Sequence, residues 1–70
     1  MSLEIVFLVE EDVEGGYVAR ALGESIFAEA DDISTLRKEI LDAVRCHFPD
    51  PSKRPKMVQL HQVRDEVIAL

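Results

Sequence analysis

A single cysteine, Cys46, stands among the 70 residues, so no intramolecular disulfide can brace the fold, although domains this small often lean on disulfides, a metal or a partner subunit. Glycine and proline are scarce, with three of each. That composition, with 47% hydrophobic and 31% charged residues, argues against fibrous and disordered classes and for one globular domain over residues 1–70. Basic residues are nearly missing from the first half: residues 1–34 hold Arg20 against nine acids, a net charge of −8, whereas residues 35–70 carry a net of +2. The overall charge of −6 disfavours a surface built for phosphate backbones. Long apolar runs are absent as well. The stretch Ile5 to Val9 is too short to cross a bilayer, and the residues around it are acidic where a secretory leader would be basic. The expectation is a cytoplasmic protein with no membrane contact, and a lone thiol suits that reducing compartment.

What is present is a clear succession of elements. Leu3 to Glu10 reads as a strand, because five apolar residues in a row, several β-branched or aromatic, lack helical spacing. Such a run puts apolar side chains on both faces of a sheet and calls for cover on both. Glu11 to Gly16 is a turn whose glycines can take positive φ. Tyr17 to Ala21 is a second strand, with Tyr17, Ala19 and Ala21 on one face and Val18 and Arg20 on the other. Ser25 to Ala30 is a third, completing an antiparallel three-stranded meander. Asp31 or Asp32 can cap a helix from Ile33 to about His47. Its apolar stripe is Ile33, Leu36, Ile40, Ala43 and Val44, flanked by Leu41 and Phe48. The three prolines of Phe48 to Pro55 stop that helix. Met57 to Val63 reads as a fourth strand, and residues 65–70 could extend it, form a last helical turn, or dock on another subunit. The fold class is α+β, in the order β-β-β-α-β.

Candidate chemistry is thin. Cys46, His47 and His61 are the residues suited to nucleophilic or zinc chemistry, and their spacing fits neither a zinc knuckle nor paired histidines on one helix face. Cys46 reads as a small, partly buried residue. His47 falls in the last helical turn, where it can meet terminal carbonyls and the negative end of the dipole. Glu10, Glu11, Asp12 and Glu14 lack calcium-loop spacing and read as solvated turn charge. No catalytic constellation, cofactor motif or metal set is visible, so the reading is of a non-enzyme without a cofactor. Arg45, Lys53, Arg54 and Lys56 are candidate anion contacts. The first alternative reading is a small-molecule or metal-binding protein or minor enzyme with a site at the subunit boundary formed by His47, His61 and Cys46, and the second is an accessory RNA binder through these four basic residues.

The order strand, Gly15-Gly16-Tyr17-Val18-Ala19, strand, Glu29-Ala30-Asp31-Asp32-Ile33 and helix through Ala43-Val44 resembles the N-terminal domain of the HicB-like antitoxins over about residues 3–48. Leu22-Gly23-Glu24-Ser25 stands where members of that family commonly have a Pro-Gly-Cys-like segment. The resemblance implies a degenerate ribonuclease-H-like arrangement without its catalytic carboxylates, assembled as a dimer. It also implies that the protein acts by covering a small partner protein, and the acidic half suggests a basic one. The chain stops at Leu70, before the DNA-binding module that many members carry, so operator binding is not expected. One helix can seal one face of the sheet only, which makes a second copy the simplest cover for the other. Val6, Leu8, Val18, Phe27, Val58 and Leu60 are the candidate residues of that partner surface, joined by sheet packing or strand exchange.

Overall fold

The computed structural model describes residues 3–70. Four strands and one helix follow in chain order: β1 (Glu4–Glu11), β2 (Tyr17–Ala21), β3 (Phe27–Ala30), α1 (Ile33–His47) and β4 (Met57–Val63). A short 3-10 turn, Pro51–Lys53, lies within the proline-rich connection. The strands form one mixed sheet in the order β3-β2-β1-β4, with both meander pairs antiparallel and β4 parallel to β1. The α+β class and the element order agree with the sequence reading. The third strand is shorter than expected, since Ser25 and Ile26 lie outside it.

The two faces of β1 have different fates. Ile5, Phe7 and Val9 are buried beneath α1, while Val6 and Leu8 on the reverse face stay half-buried. Ala19, Ala21 and Ala28 are also buried under the helix. These small side chains let α1 lie close to β2 and β3, where Leu36, Ile40 and Val44 complete the core. Leu41, on the flank of the stripe, remains 42% exposed.

Local chemistry sets the ends of the helix. Asp32 is the N-cap, and its Oδ1 accepts from the Thr35 amide at 2.7 Å. That bond lowers the Asp32 carboxyl below its ordinary value, and the Asp50 carboxyl is lowered likewise by its hydrogen bonds from Ser52. A carboxyl depressed in the folded state contributes stability that is complete above its unfolded pKa and is lost as pH falls through the folded value. Melting temperature should therefore drop on acidification below about pH 4. Asp32→Asn, which still caps but does not titrate, should flatten that acid limb in a pH series of thermal melts.

At the other end, the Phe48 amide donates to the Val44 carbonyl at 2.9 Å and closes α1. The expected capping role for His47 is not what the structure shows. Its Nε2 meets Glu24 Oε2 at 3.2 Å, and its ring stands edge-on to Phe48. The turn between β2 and β3 brings Glu24 within reach, so its carboxylate oxygen takes the place of the carbonyls as hydrogen-bond partner. Cys46, expected to be partly buried, is exposed, because it lies off the stripe that carries Leu36, Ile40 and Val44.

Candidate functional site

Charge is segregated along the molecule. At one end, the β1–β2 turn, the end of β3 and the start of α1 converge on a shallow depression of about 440 Å³ lined in part by Asp12, Glu29, Asp31 and Glu39. All four carboxylates are exposed. Glu10, Glu11 and Asp65 lie beside it around a second hollow of about 240 Å³. The turn is held rigid: the Asp12 amide donates to the Gly16 carbonyl, the Gly15 amide to the Asp12 carbonyl, both at 3.0 Å, and the Glu14 amide to Asp12 Oδ1 at 3.1 Å. Asp12 is thus fixed in a hydrogen-bonded turn, whereas Glu29 stands on β3 and Glu39 on α1.

The opposite end carries Arg45, Lys53, Arg54 and Lys56, with Glu4 and Glu24 beside them. The four candidate anion contacts do not form one cluster with free donors. Arg45 pairs with Asp42 at 3.5 Å. The Arg54 guanidinium donates to the Phe48 carbonyl at 3.0 Å and the Pro49 carbonyl at 3.4 Å, so it braces the proline-rich connection. Lys53 and Lys56 are exposed. Lys53 lines a cleft of about 530 Å³ together with Glu4, Leu22, Glu24 and Phe48.

Cys46 and His47 lie in the last turn of α1, whereas His61 is paired in register with Leu8 on the reverse face of the sheet. The structure does not bring the three together. Among the described residues, no group of three His, Cys, Asp or Glu side chains could hold a metal ion, and no helix is long and apolar enough to cross a membrane.

The six candidate partner-surface residues divide between two surfaces. Val6, Leu8, Val18 and Phe27 lie on the face away from α1, and Phe27 is 62% exposed. That face is mixed, because Glu10, Arg20 and His61 alternate with the apolar side chains in the strand register, and Arg20 meets Glu10 at 3.9 Å. Val58 and Leu60 fall on the helix side instead, opposite Ile5 and Phe7 in the parallel register. They are half-buried although Ile5 and Phe7 are buried, since α1 leans over β2 and β3 and leaves β4 uncovered. The result is a groove of about 280 Å³ between α1 and β4, lined by Arg37, Ile40, Leu41, Val58 and Leu60.

Comparison with known proteins finds close relatives of this small domain. A UPF0150 protein of Thermotoga maritima is 40% identical over 67 residues, covering 96% of this chain and 93% of the relative. The chain belongs to the UPF0150 family. A second UPF0150 protein, from Archaeoglobus fulgidus, is 49% identical over 53 residues, which is 76% of this chain and 77% of the relative. No family model matches the chain, and no solved structure matches it. For this UPF0150 chain the full set of elements is therefore covered by the Thermotoga alignment, including β4 and the acidic turn.

Proposed function

We propose that this UPF0150 chain is a HicB-like protein-binding module, with a degenerate ribonuclease-H-like fold, that works as a homodimer and masks a small basic protein. The observation that carries the reading is the gathering of exposed carboxylates at one end of the molecule, around Asp12, Glu29, Asp31 and Glu39. A single-sign surface of this kind steers an oppositely charged partner and sets its orientation, with rim charges acting mostly on the rate of encounter. The sheet face away from α1, where Phe27 is exposed and Val6, Leu8 and Val18 are half-buried, supports assembly with another chain, since a sheet covered on one side leaves apolar surface in water.

The test is co-purification of the tagged full chain with the small basic protein encoded beside it. The triple variant Glu29→Lys, Asp31→Lys and Glu39→Lys reverses the acidic end through exposed positions and leaves the core untouched. The pair should form at low salt, weaken steeply as salt rises, and be lost in the variant. Retention of the partner by the charge-reversed chain would remove the acidic end from the argument.

A further inference from the structure

The dimer proposed above leaves open which surfaces meet, and the geometry of β4 and the seven residues after it points to an answer that rests on that reading. β4 is an edge strand, and among the described residues the outer row of its backbone donors and acceptors faces no other strand. Natural edges are usually blunted by charge, proline or brevity. The other edge, β3, has four residues and lies against α1. β4 has seven, from Met57 to Val63, with no Asp, Glu, Lys, Arg, Pro or Gly among them. It is an unprotected template for pairing.

Residues 64–70 form no regular element and lead away from the body, so that the molecule measures 52 Å along its longest axis against 20 and 18 Å across. Val67 is 95% exposed and Ile68 77% exposed. These apolar residues, joined to the open edge through Arg64, Asp65 and Glu66, pack against none of the other described residues. The segment also holds no glycine, asparagine or proline to reverse direction onto β4.

We infer that residues 57–70 of two copies pair antiparallel about a two-fold axis, joining the two sheets edge to edge. The alternation of side chains supports this. Residues facing each other across an antiparallel pair lie on the same side of the sheet, and a two-fold axis normal to the sheet keeps both helices on that side. The even positions from 58 to 70 read Val, Leu, Gln, Arg, Glu, Ile, Leu. That order is a hydropathy palindrome centred on Arg64, which is what a self-complementary interface needs. In the register set by the palindrome, Arg64 faces its own copy, Leu60 faces Ile68 of the second copy, and Val58 faces its Leu70.

Ile68 and Leu70 would then extend the apolar floor of the groove beside Leu41 and Val58. Arg64 has Glu66 of the second copy as its diagonal neighbour, within reach of a long side chain, so the central like charges are answered by carboxylates.

Light scattering should give a mass twice that of the 7.9 kDa chain, and Ile68→Glu should raise the dissociation constant by about tenfold or more. Cysteine cross-linking then separates the two ways of making a dimer. In a Cys46→Ser background, Arg64→Cys places thiols on the two-fold axis and should oxidise readily to a covalent dimer, because facing Cβ atoms approach disulfide distance. Leu8→Cys, at the middle of the bare sheet face, should not. Cross-linking through position 8 but not 64, or a dimer that cross-links at neither, overturns the edge pairing while the dimer stands. A monomer at every concentration overturns both.

Discussion

Replacing Phe7 by alanine is expected to leave the chain largely unfolded at room temperature. Phe7 is fully buried at the centre of the sheet, on a strand flanked by β2 on one side and β4 on the other. Removing a buried phenyl group costs about 3–5 kcal/mol, because the lost transfer energy is joined by the cost of the cavity left behind. A chain of 70 residues has a total stability of about 3.5–10 kcal/mol at the usual per-residue value, so this one change removes much or all of it. Urea titration followed by circular dichroism should show the transition displaced towards zero denaturant. Val13→Ala, at a fully exposed position of the acidic turn, should move the midpoint by no more than about 0.5 kcal/mol equivalent. Near-native stability in the Phe7 variant would mean that the centre of the core lies elsewhere.

The second large effect is expected at Gly16. Its φ of +80° lies in the left-handed region, and a Cβ placed there would come within 2.8 Å of the Ala30 carbonyl oxygen. Two separate penalties follow for Gly16→Ala. The left-handed backbone costs a non-glycine residue roughly 1–2 kcal/mol, and the Ala30 backbone must shift where β2 and β3 pair. The displaced ladder contact adds about 0.5–1.5 kcal/mol. Gly15 provides the comparison, with a φ of +102° and open space around the site of its missing Cβ. Gly15→Ala carries the backbone penalty alone, so thermal melts should rank the wild type above Gly15→Ala and both above Gly16→Ala. Equal melting temperatures for the two variants would show that the strand pair yields to the added methyl without cost.

The helix was legible from end to end because its signals are local. A carboxylate at position 32, an apolar stripe from Ile33 to Val44 and prolines from Pro49 onward act within a few residues of one another. β1 was legible for the same reason, its unbroken apolar run needing no distant partner to be recognised. The side of the sheet taken by Val58 and Leu60 was not. Alternation along β4 says that these two share a face, but which face depends on register with Ile5 and Phe7, more than fifty residues earlier. His47 shows the same limit, since its partner Glu24 arrives through the β2–β3 turn. The acidic end was visible as a count within residues 1–34 and became a surface once the turn, β3 and α1 placed Asp12, Glu29 and Asp31 side by side with Glu39 from the second half.

The parallel pairing of β1 with β4 also governs the order in which the molecule can be made. Glu4 has its ladder partner at Met57 and Glu10 at Val63, so the central strand is synthesised first and must wait for the last one before its second edge is satisfied. The hairpins and the helix can assemble from near neighbours at small entropic cost, whereas closing the long loop to β4 comes late. During translation a nascent chain therefore passes through a stage in which an apolar strand, already covered on one side by its meander, offers an open edge to whatever is near the ribosome exit.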